Sequence, residues 1–108
     1  MTKGTDLRQD GVKIQLDKER TLLFDLNTLV DMEDEYGDVD LAMKELSSGK
    51  MSSIRKMVFF ALRHEDENLT EREAASLIPM NKIGELSEKL TQALQVSIPE
   101  EDKNEKNE

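Results

Sequence analysis

The sequence predicts a mainly α domain of the α+β class, an N-terminal β-hairpin packed on a bundle of about five short helices. Three observations carry that prediction. Val12, Ile14 and Leu16 alternate with Lys13 and Gln15, the period of a half-buried strand. Residues 54–64 place Ile54, Met57, Val58, Ala61 and Leu62 at three-and-four spacing, which is one apolar face of a helix. Around this central helix, cap and stop residues divide the chain into short periodic segments.

Residues 1–10 are polar without apolar periodicity and read as a flexible lead; 11–98 read as a single domain. After the first strand, residues 17–19 form a polar turn and residues 20–24 a second short apolar run, so the two runs pair as a hairpin. The turn has no Asn-Gly or Asp-Gly to fix its register. Two strands alone are marginal in water, so the hairpin needs helices over its apolar face. Asp25 is placed to cap a helix with Leu26, Leu29 and Val30 on one side, stopped after Tyr36 by Gly37, which enters the left-handed region cheaply. Asp38 caps the next helix, with Val39, Leu41, Ala42 and Leu46 as its apolar positions, and Ser47, Ser48 and Gly49 close it. Ser52 is placed as N-cap of the central helix, and the polar run 65–68 ends it. Thr70 and Glu73 have capping-box spacing, with Leu69 placed to staple onto the first turn, and Pro79 keeps that helix short. From about Lys82, a last helix lines up Ile83, Leu86, Leu90, Ala93, Leu94 and Ser97. Residues 99–108 hold no apolar side chain after Pro99 and read as a disordered acidic tail.

At 108 residues, with 36% hydrophobic and 36% charged residues, the chain has length for one lean core. It has no cysteine, so no disulfide supplements that core, and a reducing compartment is compatible with the sequence. No apolar h-region opens the chain and no long apolar run follows, which argues against a signal peptide and a membrane span. The net charge of −9 is uneven: residues 25–50 carry eight acids against two bases, whereas 51–64 carry three bases and no acid. Such a field repels phosphate backbones, so nucleic acid is a poor partner. A helix-turn-helix reading of residues 52–78 fails for the same reason, because Glu71 and Glu73 would meet the DNA first.

The acidic run 31–40 does not make a calcium loop. Counting from Asp31 puts Tyr36 sixth and Ala42 twelfth, and counting from Asp34 puts Tyr36 third and Val39 sixth, where oxygen ligands and glycine are needed. A solvated helix face accounts for it. His64 is the single histidine, at a helix end where it suits the dipole, and no nucleophile, glycine-rich phosphate loop or metal-ligand cluster accompanies it; no catalytic residue, metal or cofactor is expected. The candidate partner-binding residues come from two places. Phe59 lies opposite the apolar stripe of the central helix, among Arg55, Lys56 and Arg63, where it is either an exposed anchor or a ring covered by the rest of the chain. Ile83, Leu86 and Leu90 of the last helix either offer a seam to another protein's helix or close the domain's own core.

The order of hairpin, Leu23-Phe24-Asp25-Leu26-Asn27, an acidic helix ending Glu35-Tyr36-Gly37, then Phe60-Ala61-Leu62-Arg63-His64-Glu65-Asp66 and Leu69-Thr70 resembles the small tail assembly chaperones of long-tailed bacteriophages, including those of prophages and gene transfer agents. The resemblance spans roughly residues 12–94. It implies a non-enzymatic, self-associating helper in the cytoplasm of a bacterial host, which binds the tape measure protein, promotes assembly of tail tube protein around it, and is not retained in the virion. It also implies a longer frameshifted form in many members; Glu105-Lys106-Asn107 is compatible with a slippery A AAA AAC codon run. The residue chemistry leaves a different class open: a small acidic binding protein, a DNA mimic or inhibitor of a host DNA-binding protein, using the run 31–40.

Overall fold

The computed structural model describes residues 11–97; the lead 1–10 and the tail 99–108 lie outside the described residues. Strands β1 (Val12–Gln15) and β2 (Glu19–Leu22) form an antiparallel hairpin, followed by helices α1 (Leu26–Tyr36), α2 (Val39–Ser47), α3 (Met51–Leu62), α4 (Glu71–Ser76) and α5 (Ile83–Ser97). A 3-10 turn, Met80–Lys82, leads into α5. This is the α+β arrangement that the periodicities predict.

The hairpin register pairs Val12 with Leu22 and Ile14 with Arg20. In place of a glycine turn, the connection is held by Arg20, whose Nε and NH2 donate to the two carboxylate oxygens of Asp17 at 2.9 and 2.8 Å. The same guanidinium donates to Glu65 at 3.0 Å. Glu65 and His64 then close the outer edge of β2: the Thr21 amide donates to Glu65 Oε2 at 3.1 Å, and His64 Nε2 donates to the Thr21 carbonyl at 2.8 Å. The Leu23 amide adds a bond to the Ala61 carbonyl at 3.1 Å. One strand edge is thus capped by the end of α3 and the turn after it, which keeps that edge from pairing elsewhere. His64 is therefore engaged with the sheet rather than with the dipole of its own helix.

The core gathers Val12, Ile14, Leu16, Leu22 and Phe24 from the hairpin side, Met32, Ala42 and Leu46 from α1 and α2, and the stripes of α3 and α5. Asp25 and Asp38 cap α1 and α2 by accepting from the Thr28 and Leu41 amides at 2.9 and 2.8 Å. Gly37 takes φ +107, a conformation an L side chain adopts only under strain. The capping box at α4 is complete, with Glu73 N–H to Thr70 Oγ1 at 3.1 Å and Thr70 N–H to Glu73 Oε1 at 3.0 Å.

Three expectations need correction. Ser52 is not the cap of α3: the helix begins at Met51 after Lys50, because Gly49 at φ +77 turns the chain early and the Ser48 hydroxyl takes the Lys50 amide. The buried arc of α3 is wider than the predicted stripe and includes Ser53 and Phe60, since α3 touches β2 and all four other helices. The apolar side of α1 is also turned. Leu26 and Val30 are 75% and 47% exposed, while Thr28 and Met32 are buried. Rolling α1 to bury Leu26 and Val30 would expose Met32 and break the pairs that Asp31 and Glu35 make with Arg63 and Lys56.

The Asp17–Arg20 fork makes hairpin stability depend on pH. Bonding to Arg20 lowers the Asp17 pKa from 3.8 to about 2. A carboxylate with a depressed folded value contributes its stability above the unfolded value and loses it as pH falls towards the folded one. Asp17→Asn is expected to flatten the decline in melting temperature between about pH 4 and pH 2, by a small amount because the carboxylate is partly exposed; an unchanged acid profile in that window would show the fork to be dispensable.

Candidate functional site: an apolar groove beside the central helix

The cationic side of α3 faces its own chain. Arg63 pairs with Asp31 of α1, and Lys56 bridges Glu71 at 2.9 Å and Glu35 at 3.5 Å. Donating a hydrogen bond to the Glu71 carboxylate raises the Lys56 pKa. Arg55 reaches Glu71 at 3.5 Å. The acidic run is therefore only partly a solvated face; two of its carboxylates neutralise the basic island. Phe59 is half-buried against the core, with the Arg63 guanidinium 6.0 Å from its ring centroid and 5.8 Å from that of Phe60. Such stacking is worth about 0.5–1 kcal/mol near a surface, and it shields the ring that the sequence offered as an anchor.

Leu86 and Leu90 are 0% exposed and belong to the core, so α5 presents no open seam along them. Burying those side chains is worth about 1.5–3 kcal/mol each, more than a marginal contact with a partner would return. Ile83, one turn before, is half-buried and sits elsewhere in the geometry. It forms, with Arg55 and Leu86, part of an apolar groove of about 190 Å³ at the start of α3. Ile54 and Val58 supply one wall; Ala75 of α4 and Ile78, just after it, supply the other. Leu86 lies at the floor, closed to solvent. Met51 and Met80 stand at the rim, 59% and 76% exposed. A dry apolar cavity of about 150 Å³ accommodates a benzene-sized ring, so the groove has room for one large apolar side chain.

Of the six predicted site residues, the structure thus brings Arg55, Ile83 and Leu86 together and leaves Phe59, Arg63 and Leu90 outside. Sequence reasoning missed Met51 and Met80. The available signal was a methionine at each of two element starts, the first residue of α3 and the residue after Pro79, positions where a flexible thioether is free to adapt to a partner.

Other openings mix polar and apolar linings: one of about 610 Å³ lies among Asp40, Met43, Lys44, Ser47 and Ser48, and one of about 330 Å³ includes Arg20, Glu65, Leu69 and Leu77. A cleft of about 450 Å³ is lined by Asp25, Asn27, Thr28, Arg63, His64, Glu65 and Glu67, and most of its charged or ring groups have partners: Asp25 the Thr28 amide, which lowers its pKa, His64 the Thr21 carbonyl, Arg63 Asp31, and Glu65 Arg20. Among the described residues, no group of three or more His, Cys, Asp or Glu side chains is placed to hold a metal ion, and no helix is long and apolar enough to cross a membrane. What the arrangement can do is grip an apolar side chain. No protein-family model, no curated protein and no solved structure matches this chain.

The core and rim assignments predict opposite responses to truncation. Leu90→Ala is expected to cost about 2–5 kcal/mol in denaturant unfolding, whereas Met80→Ala should stay within about 0.5 kcal/mol of the parent. Equal losses at the two positions would mean that the groove is not a surface feature.

Proposed function

We propose that this protein is a non-enzymatic chaperone of tail assembly in a long-tailed bacteriophage or prophage, holding the tape measure protein soluble in the bacterial cytoplasm while tail tube subunits assemble around it. The observation that carries this reading is the methionine-rimmed groove on a strongly charged body. A long helical client exposes apolar side chains at helical spacing, and a groove sized for one of them binds each weakly. Several copies along one client cover successive apolar side chains, and each contact is weak enough for the client to be released when the tube closes on it. The net charge of −9 serves the same end by keeping the complex dispersed. The sequence resemblance given above supplies the biological setting, and the groove supplies a means.

The reading as a DNA mimic or inhibitor of a DNA-binding protein draws less support. It requires a continuous acidic surface, and Asp31 and Glu35 of the run 31–40 are already committed to Arg63 and Lys56.

The test is co-expression with the tape measure protein encoded beside it. The parent chain is expected to raise the soluble yield of that client several-fold, and Met51→Glu with Met80→Glu to abolish the gain without loss of the chaperone's own solubility. A client that aggregates equally with and without the parent chain would refute the proposal.

A further inference from the structure

The chain has six methionines and no cysteine, so its thioethers are the sulfur that an oxidant meets. Met1 lies outside the described residues, and the other five divide sharply by position. Met32 and Met57 are 0% exposed in the core, and Met43 is half-buried against it. Met51 and Met80 stand 59% and 76% exposed. They come from separate elements, the first turn of α3 and the 3-10 turn before α5, and the fold brings both to the rim of one groove, which Met32, Met43 and Met57 do not line.

The lining between those two side chains is apolar except for Arg55, which is paired with Glu71. A change of polarity at the rim therefore changes what the groove can hold. Peroxide attacks a thioether at sulfur: the sulfur lone pair forms an S–O bond, the O–O bond breaks, and the departing hydroxide takes the hydroxyl proton left on sulfur. The thioether is oxidised by two electrons to the sulfoxide, and the peroxide is reduced to water. The product is polar and chiral where the reactant was flexible and apolar. Its oxygen holds water, and an apolar group entering the groove must strip that water without offering a hydrogen bond in return. Core thioethers are reached only through an opening of the fold, which the rim pair does not need.

We propose that Met51 and Met80 are a paired oxidation site, and that peroxide, by converting them to sulfoxides, closes the groove to apolar ligands while the core stays intact. Reduction by methionine sulfoxide reductases, one for each epimer, with a dithiol that leaves as its disulfide and water, reopens it. Leucine at the same two positions is as apolar and has no such second state. This deepens the chaperone reading by adding a control to its groove, and it rests on that reading's premise that the groove binds apolar groups. The test uses a small probe and no client, so a client that stays insoluble and a groove that ignores peroxide are separate results.

The experiment treats the full chain with dilute hydrogen peroxide and follows sulfoxide at each methionine by peptide mass mapping, the melting curve, and binding of indole, reported by its ring-current shifts at the methyl groups of Ile54, Val58 and Ile78. Met51 and Met80 are expected to oxidise many-fold faster than Met32 and Met57, with Met43 between them. Once the rim pair is converted and the core pair is not, the melting curve should match that of the untreated chain, indole should bind several-fold more weakly, and the two reductases should restore its affinity. In Met51→Leu with Met80→Leu, the same dose should leave indole affinity where it stood before treatment, whereas Met43→Leu should keep the parent's full response. Core methionines that oxidise as fast as the rim pair, indole that does not bind the untreated chain, or an affinity unchanged after both rim sulfoxides have formed would overturn the proposal.

Discussion

Helix α3 buries seven of its side chains and also carries Arg55, Lys56 and the capping Arg63, and a small domain must meet both demands with the same few neighbours. The hairpin and α5 take the apolar arc. Helix α1 and the first turn of α4 bring Asp31, Glu35 and Glu71 to the cations. Magnitudes separate the two tasks. Exposed ion pairs contribute about 0–1 kcal/mol each, whereas a buried leucine contributes about 1.5–3 kcal/mol, so the core holds the fold and the ion pairs add to an orientation that packing sets. That orientation has a consequence for function. With α1 packed beside Arg63 and Lys56, its Leu26 and Val30 are left in solvent, and at the start of α3 Met51 is exposed as well.

Much of the architecture was legible because it follows from local rules. The alternation of residues 12–16, the Asp25 and Asp38 caps, Gly37 and the Thr70–Glu73 box each specify a structure within a few residues, and each is present. The failures lie where a distant partner decides. Ser52 has the chemistry of a cap, but the turn at Gly49 starts the helix before it. Leu26, Leu29 and Val30 have the spacing of a buried face, yet the helix packs through Thr28 and Met32 and holds Asp31 and Glu35 beside Arg63 and Lys56, contacts that depend on residues distant in sequence. The candidate site was legible in part for the same reason. An apolar residue such as Leu90 reads identically whether it faces a core or a partner, and a groove exists only once α3, α4 and α5 are in place, so its rim shows in one dimension only as a methionine at each of two element starts, Met51 and Met80.

The groove and the outward row of α1 share one logic. Both are apolar spots small enough to stay in water on a highly charged body, and both suit transient contacts better than permanent ones. A chaperone that must release its client gains from this. A deep hydrophobic cleft would bind too tightly to be displaced by assembling tube subunits, and a wholly polar surface would not bind at all.

The central claim is that the accessible start of α3, and not its cation-bearing side at Phe59 and Arg63, is where a partner docks. Amide hydrogen exchange on the dilute protein, with and without a peptide from an amphipathic helix of the tape measure protein, tests it directly. The account predicts added protection in residues 51–58 and 75–86, with residues 59–67 and α1 unchanged. Protection centred on residues 59–67 and α1, with the groove segments unaffected, would contradict it.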